Sequence, residues 1–509
     1  MYTLAEFLPG HIPQWLNGCL YRNGAGVYQV KDTNIRHFFD GFSVLHKFTI
    51  QNGHVTFRSS LLDTHTLQQA MGITRTVTSR SGVHRVLDPC KNIFKESQTY
   101  FAELPPERTD NTSVNVVTLG DGLYALTETA TINRVDPRDL KTTEMIDLSR
   151  VISVHTGTAH PHFNQQGDMF SYGSNFDHRK AYNIIRIPNM KADADPMAKA
   201  EIVASVASRW PTNISYNHSF GMSENYYVVL DQPVAFNTKK FQISNVDMQG
   251  VAGTLVLRRG EAQKNPGDLR DQLRFRFPFH QLLRGGRLSG NRSGHLPPYR
   301  CHPGPVFGED EEIGFQIPDA GSFARFVLPL NVENAPRDIN LVGLPHSKAT
   351  AIIDYDARNV VSLTPDFFTP EKITMELPRI NYPMCAGRKY RYAYGTSVFS
   401  DFYRLVKLDT QEKTVKQWRL TQYYYPGEPI FVPTPGAIEE DDGVILSPVL
   451  CETLEEPSFL LVLDARSFTE IARAYIPSNV KMSMTFHGTF CGSKNPPRDN
   501  LPDVVDIHL

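Results

Sequence analysis

The chain has few of the features that mark membrane-spanning, secreted or nucleic-acid-binding proteins. It contains no apolar run of about 18 residues, the length that a membrane-spanning helix needs. Lysine and arginine total 52 against 54 acidic residues, so no overall positive charge attracts nucleic acid. The first residues form neither a secretory signal nor an arginine-rich leader. We therefore expect a cytoplasmic protein that binds no nucleic acid.

Cysteine is scarce and scattered. There is no C-x-x-C pair and no dense framework among the six cysteines, which are Cys19, Cys90, Cys301, Cys385, Cys451 and Cys491. This distribution is typical of reduced thiols in a reducing compartment. It argues against a zinc site built on thiolates.

Short apolar runs rich in Val, Ile, Tyr and Phe recur along the chain, separated by Gly, Asn, Asp and Pro. Examples are residues 45–50, 123–128, 226–230 and 443–447. Such even punctuation, without long helical periods, predicts many antiparallel strands. A β-propeller or a large barrel would close these strands with few free edges, although no repeat signature of the WD or kelch type is present.

Two kinds of segment interrupt this pattern. Residues 22–26 (RNGAG) and 441–443 (DDG) have the composition of tight turns, so we expect positive φ at their glycines. Residues 252–305 carry nine arginines against three acidic residues, which is the composition of a solvated basic loop. The alternative for this interval is a basic patch for phosphate or acidic lipid.

Three histidine motifs lie far apart, each beside a β-prone run. They are residues 157–162 (GTAHPH), 216–220 (YNHSF) and 485–489 (TFHGT), which carry His160, His218 and His487. Imidazole is a good ligand for iron, copper, nickel and zinc. Single histidines on distant strand ends are what a metal on the axis of an all-β ring would need. Four other histidines are assigned structural roles: His46, His155, His162 and His346.

Neutral histidine ligands leave the charge of a metal ion to be balanced by groups behind them. These groups are usually carboxylates that accept the second ring N–H of a ligand. Three glutamates have suitable strand-like contexts, namely Glu128, Glu376 and Glu428. Taken singly, each could instead be a solvated glutamate at a strand edge.

With these motifs the chain resembles the carotenoid cleavage oxygenase family, in the animal branch that contains the carotene oxygenases and the retinoid isomerase of the eye. The similarity runs from residues 12–18 (IPQWLNG) to 486–488 (FHG). Further markers are 22–24 (RNG), 39–41 (FDG), 88–94 (DPCKNIF), 124–129 (YALTET), 380–382 (INY), 392–395 (YAYG) and 439–443 (EEDDG).

The resemblance implies a single domain over residues 1–509, built as a seven-bladed β-propeller with a helical and loop cap. It further implies a non-haem Fe(II) on the propeller axis, held by four histidines. His160, His218 and His487 match three ligand motifs, and the three glutamates match the carboxylates behind the ligands. Which glutamate serves which histidine stays open.

The family's third ligand motif, F-H-x-I-N, has no in-register match. The corresponding segment, 277–286 (FPFHQLLRGG), offers His280 as a weaker candidate for the fourth ligand. Codons compatible with this segment, read one nucleotide later, can encode F-H-S-I-N-C-F-E-E. We therefore hypothesise that residues from about 250 to about 305 are translated out of frame. The family pattern resumes at residues 326–331 (FVLPLN).

The resemblance implies an Fe(II) dioxygenase that uses O₂ to cleave a conjugated double bond of a carotenoid or apocarotenoid, giving aldehydes. No catalytic residue is expected beyond the metal centre. Two alternatives stay open: a retinoid isomerohydrolase on the same fold, and a non-catalytic carotenoid-binding protein. Because such substrates partition into lipid, we expect peripheral membrane contact near residues 90–101. There Cys90 is either a lipid attachment site or a shielded thiol.

Overall fold

The protein consists almost entirely of β-strands. The computed structural model describes residues 11–72, 109–245 and 323–492 apart from short internal gaps, together with strand residues 2–3, 5–6, 253–259 and 272–277. Two short α-helices lie within this part of the chain, α1 (His65–Gly72) and α2 (Tyr382–Cys385). Three single turns of 3-10 helix lie at Phe38–Asp40, Leu148–Arg150 and Met197–Lys199.

The strands are numbered in chain order. The first group is β1 (Tyr2–Thr3), β2 (Ala5–Glu6), β3 (Gly18–Val27), β4 (Gln29–Val30), β5 (Thr33–Asn34), β6 (Phe42–Gln51), β7 (His54–Leu61), β8 (Asn115–Leu119), β9 (Gly122–Leu126), β10 (Thr131–Val135) and β11 (Thr142–Asp147). The second group is β12 (His162–Phe163), β13 (Met169–Asn175), β14 (Ala181–Ile187), β15 (Glu201–Ala207), β16 (Asn213–Ser215), β17 (Gly221–Met222), β18 (Tyr226–Asp231), β19 (Val234–Asn237), β20 (Gln242–Asn245), β21 (Gly253–Arg259) and β22 (Gln272–Phe277). The third group is β23 (Ala324–Arg325), β24 (Thr350–Ile353), β25 (Val360–Thr364), β26 (Asp366–Phe367), β27 (Glu376–Arg379), β28 (Tyr392–Phe399), β29 (Phe402–Asp409), β30 (Thr414–Arg419), β31 (Tyr424–Pro426), β32 (Ile430–Pro433), β33 (Gly443–Cys451), β34 (Phe459–Asp464), β35 (Glu470–Tyr475) and β36 (His487–Gly492).

Most sheets are antiparallel meanders of strands that follow one another in sequence. Strands β8 to β11, β12 to β15 and β27 to β30 each form a four-stranded sheet. A larger sheet has the order β17-β18-β21-β22-β25-β24, in which only the β22–β25 pair is parallel. Short connections and regular alternation explain why the apolar runs of the sequence predict these strands.

Strands from the two ends of the chain close the ring of sheets. Strand β36 completes the sheet β1-β7-β6-β3-β36, with Gly18 opposite Gly492 and Asn23 opposite His487. In the last sheet, β2 pairs with β35. This closure removes the open edge that a linear row of sheets would leave. The fold is an all-β propeller, and the described residues contain fewer than seven sheets of four or more strands.

The hydrophobic core lies between neighbouring sheets. One cluster joins Phe48 and Phe57 of the first sheet to Leu446 and Leu460 of the last. Each fully buried side chain of this size stabilises the fold by about 1.5–3 kcal/mol. Because the apolar side chains pack between the sheets, the inner strand ends can carry polar groups.

The expected turn at residues 22–26 is wrong. These residues lie inside the ten-residue strand β3, and neither Gly24 nor Gly26 has positive φ. A Cβ on Gly24 would lie 2.5 Å from the carbonyl oxygen of Met484. Gly443 likewise begins strand β33 without positive φ. These glycines permit close backbone approach, which composition cannot distinguish from a turn.

The interval 252–305 is also not a loop throughout. Strand β21 pairs with β18, and β22 pairs with both β21 and β25. The arginines in these segments did not prevent strand formation, because β21 contains the β-prone run L-V-L and β22 alternates arginine with phenylalanine. The remainder of the interval lies outside the described residues.

Candidate metal site

The three predicted histidines come together at one end of the inner strands. His487 is the first residue of β36, His160 lies two residues before β12, and His218 lies between β16 and β17. Strand β36 contacts the neighbouring inner strands β8 and β32. The propeller therefore brings together side chains from three distant parts of the sequence.

The geometry of the cluster is tight. One ligand atom from each of His160, His218 and His487 lies within 4.8 Å of the others. The Nε2 atoms of His160 and His218 are 2.7 Å apart, and the His160 and His487 rings meet edge to face at 4.5 Å. Two nitrogens bound to one ion at about 2.1 Å each would lie roughly 3.0–3.4 Å apart. A small outward movement would let the cluster hold a metal ion.

The second ring nitrogen of His218 contacts a carboxylate. His218 Nδ1 is hydrogen-bonded to Glu128 Oε1. The hydroxyl of Tyr216 donates to both oxygens of the same carboxylate, at 2.7 and 2.8 Å. Because Nδ1 carries the proton for this contact, the lone pair of Nε2 faces the other histidines.

His487 is held in the same way by a different glutamate. Its Nδ1 lies 2.7 Å from Glu428 Oε1, and the backbone N–H of Gly488 donates to Oε2 at 3.2 Å. Arg22 Nη1 donates to Oε2 and Arg379 Nε to Oε1, both at 2.7 Å. The carboxylate thus makes charged contacts on two sides.

The electrostatics of the cluster favour the neutral forms of His160 and His487. Burial lowers the pKa of His160 to about 2, with His487 and His218 adding to the effect. Burial also lowers the pKa of His487, against the opposing attraction of Glu428. Burial raises the pKa of Glu428, but the charges of Arg379 and Arg22 and the hydrogen bond from His487 outweigh it and keep this pKa well below its ordinary value. Neutral imidazoles with a charged glutamate behind them fit a cationic ligand.

The histidines assigned structural roles have their own environments. His46 is buried against Ser483, with Nε2 3.0 Å from the hydroxyl. His155 accepts the backbone N–H of Phe176 and stacks on its ring. His162 lies between the carbonyl of Phe220 and the hydroxyl of Tyr382, whereas His346 lies in a turn with positive φ.

The remaining predicted residues are less well defined. Glu376 begins β27 and lines a small cavity of about 170 Å³ beside Thr485 and Phe486, which precede His487. His280 and Cys90 lie outside the described residues. Neither Tyr216 nor Arg379 was predicted from the sequence to be a site residue, and Arg22 was predicted to lie in a turn. The only local signal for Tyr216 was its position two residues before the candidate ligand His218.

An exposed aromatic ring and a cavity lie beside chain neighbours of the clustered histidines. Phe39 is 55% exposed, and its ring lies 5.3 Å from that of Phe486. On another side, a cavity of about 1360 Å³ is lined by Pro161 and Gly488, the chain neighbours of His160 and His487, and by Arg379. An exposed aromatic ring and a partly polar cavity therefore lie beside residues adjacent in the chain to His160 and His487.

The described residues include no helix that could cross a membrane, since α1 has eight residues and α2 has four. A spanning helix requires about 20.

Comparison with known sequences gives consistent matches over nearly the whole chain. The model of the retinal pigment epithelial membrane protein family matches residues 3–282 and 296–492. A carotenoid-cleaving dioxygenase, mitochondrial, of Mustela putorius furo is 36% identical, with 94% of this chain and 92% of the relative covered. The human beta,beta-carotene 15,15'-dioxygenase is 33% identical, with 94% and 91% covered.

Solved structures share the fold at lower sequence identity. A cobalt-substituted Synechocystis ACO has a TM-score of 0.68 at 19% identity, covering 97% of this chain and 96% of that one. A chimera of ACO and RPE65 has a TM-score of 0.67 at 20% identity, covering 97% of this chain and 96% of that one.

Proposed function

The chain belongs to the retinal pigment epithelial membrane protein family of carotenoid oxygenases, and from that premise we propose that it oxidatively cleaves a carotenoid or apocarotenoid. The reaction breaks one conjugated C=C bond, adds one oxygen atom of O₂ to each carbon and gives two aldehydes. The family relatives named as carotenoid-cleaving dioxygenases support this activity.

The observation that carries the proposal is the convergence of His160, His218 and His487 on one point. A carotenoid carrier without catalytic activity would not need imidazole nitrogens at hydrogen-bonding distance from each other. The Glu128 carboxylate behind His218 provides negative charge that a bound cation requires, and the Glu428 carboxylate orients His487.

We assign the metal as Fe(II), with the three histidines as ligands and Glu128 and Glu428 orienting two of them. His280 is the candidate for a fourth ligand, and Glu376 is a third candidate carboxylate behind the ligands. An all-imidazole donor set accepts several divalent metals, so the choice of iron rests on the family. Bound iron would supply the one-electron chemistry that O₂ requires.

The residues of the chain would bind and orient the polyene. The exposed ring of Phe39 packs against Phe486, the residue before His487, and the two rings form an apolar surface. A conjugated chain lying on this surface would bring one double bond close to the histidine cluster and exclude water from it. No protein nucleophile or acid–base pair is required, because the protein contributes orientation and a dry, shaped site.

The test combines product and metal analysis on the purified full-length chain. We expect near-stoichiometric iron and aldehyde products from at least one carotenoid. His160→Ala should abolish both, whereas His155→Ala, which removes a histidine of the same loop that stacks on Phe176, should retain both. A cis-retinol product would indicate a retinoid isomerohydrolase, and a bound carotenoid without iron or products would indicate a binding protein.

We also propose the architecture that the resemblance implies. It is a single domain over residues 1–509, with seven blades and a helical and loop cap above the metal.

The family model leaves residues 283–295 between its two matched segments. This gap lies within the interval that we propose is translated out of frame, whereas residues 250–282 and 296–305 of that interval are matched. Resequencing the transcript tests the idea, and a confirmed reading frame through residues 250–305 would end it.

Membrane contact and location follow from the substrate. We propose peripheral association through residues 90–101, with Cys90 as a lipid attachment site or a shielded thiol. Vesicle flotation of the wild type and of Cys90→Ser distinguishes the two, because only lipid attachment would make flotation depend on Cys90.

The name of the Mustela relative includes "mitochondrial". Fractionation of cells that express this chain tests our cytoplasmic proposal directly.

A further inference from the structure

The two carboxylates behind the clustered histidines have opposite charge environments. Glu128 meets the neutral hydroxyl of Tyr216, so its group keeps one negative charge. Glu428 meets the guanidinium groups of Arg22 and Arg379, so its group carries one net positive charge. One arginine would have balanced the Glu428 carboxylate, and the second creates the excess.

The positive group is built into the protein rather than placed on its surface. Arg22 is fully buried, and it also donates to Thr485 Oγ1 at 3.2 Å and to the Phe486 carbonyl at 3.0 Å. Its charge is therefore poorly screened by solvent. Arg379 donates to the Gly488 carbonyl at 2.8 Å and lines the large cavity, with 30% of its side chain exposed.

Both arginines flank the histidine whose ring they help to position. Thr485 and Phe486 precede His487 and Gly488 follows it, so the guanidinium groups hold the backbone on both sides of this residue. Their charges reach the ring through Glu428, which contacts His487 Nδ1. A change of charge at residue 379 would therefore alter the electrostatic potential at the cluster while all three histidines remain in place.

We propose that the Arg22–Glu428–Arg379 group holds a bound iron ion in its divalent state, and that Arg379 is a positioning residue that raises the one-electron reduction potential. This inference rests on the proposed function, because it requires a redox-active metal at the cluster. A nearby positive charge disfavours a trivalent ion more than a divalent one, since the Coulomb energy scales with the product of the charges. The negative charge of Glu128 acts in the opposite sense and would lower the reduction potential. The couple is ferric iron plus one electron giving ferrous iron, with the electron supplied by a mediator and no proton transferred.

The experiment is an anaerobic redox titration of the iron-loaded full-length chain, with the ferric signal followed by electron paramagnetic resonance. We expect Arg379→Met to favour the ferric form about tenfold, a fall of about 59 mV for a one-electron couple. Arg379→Lys keeps the charge and should stay near the wild-type potential. Arg388→Met removes the same charge from another residue that lines the cavity and should also leave the potential unchanged.

Each outcome bears on the proposal. An unchanged potential in Arg379→Met with full iron occupancy would overturn it, as would an equal fall in Arg379→Lys, since packing rather than charge would then be responsible. Should Arg379→Met fail to fold, Glu128→Gln gives the second test: its potential must rise, and a fall or no change overturns the inference. A wild-type chain that binds no iron would refute the proposed function itself.

Discussion

Replacing Tyr216 by phenylalanine removes one hydroxyl and tests how the metal site is supported. The hydroxyl donates to both oxygens of Glu128, and that carboxylate in turn contacts His218 Nδ1. The phenyl ring keeps the shape of the side chain. The change therefore removes one donor to the carboxylate, together with the longer 3.5 Å contact between the hydroxyl and His218 Nδ1, while all three clustered histidines remain.

The expected magnitude follows from the exposure of this contact. A hydrogen bond to a charged group contributes about 1.5–3 kcal/mol. Tyr216 is 38% exposed, so water can partly replace the lost donor and the lower end of this range applies. A loss of about 1.4 kcal/mol corresponds to tenfold weaker metal binding. This agrees with the roughly 10–100-fold effect of changing groups behind metal ligands.

The assay is competition between the apoprotein and a chromophoric chelator for Fe²⁺ or Co²⁺ under anaerobic conditions. Tyr382→Phe is the matched control, because its hydroxyl contacts His162 Nδ1 at 2.9 Å and not the cluster. We expect Tyr216→Phe to bind metal about tenfold more weakly and Tyr382→Phe to bind as the wild type does. Equal affinities for Tyr216→Phe and wild type would refute the supporting role of the hydroxyl. Equal losses in both variants would assign the effect to general loosening.

Three further predictions concern stability, each measured by the denaturant midpoint. Gly24→Ala should lower the free energy of unfolding by about 3 kcal/mol, because the alanine Cβ would lie 2.5 Å from the Met484 carbonyl oxygen. An unchanged midpoint would contradict this close approach of the two backbones. Lys407→Met should cost about 3 kcal/mol, since the carboxylate of Asp441 loses the buried cation 2.6 Å away and keeps only the exposed Arg466 at 3.9 Å. Combining Lys407→Met with Asp441→Asn should recover part of this loss. Burial lowers the pKa of His46 to about 4, below the unfolded value, so the unfolded chain alone gains a proton as the pH falls towards 4. Wild type should therefore lose about 2 kcal/mol more than His46→Gln between about pH 7.5 and about pH 5, and parallel losses would refute this.

Local patterns predicted the strands well, because each depends on residues that are adjacent in sequence. The runs at 45–50, 226–230 and 443–447 lie in β6, β18 and β33. The same local reasoning failed at Gly24, where the close backbone of Met484 is 460 positions away. It also failed in the arginine-rich interval, where pairing with β18 and β25 accompanies strand formation.

The sequence by itself determined that the chain is β-rich and that three histidine motifs are candidate metal ligands, because strand periodicity and ligand chemistry are properties of short segments. Only the tertiary structure decided which glutamate meets which histidine, and that two arginines surround Glu428. Arg22 and Glu428 are 406 residues apart, and Glu128 and His218 are 90 apart. Closure of the propeller brings these groups into contact, and no short segment of the chain contains that information.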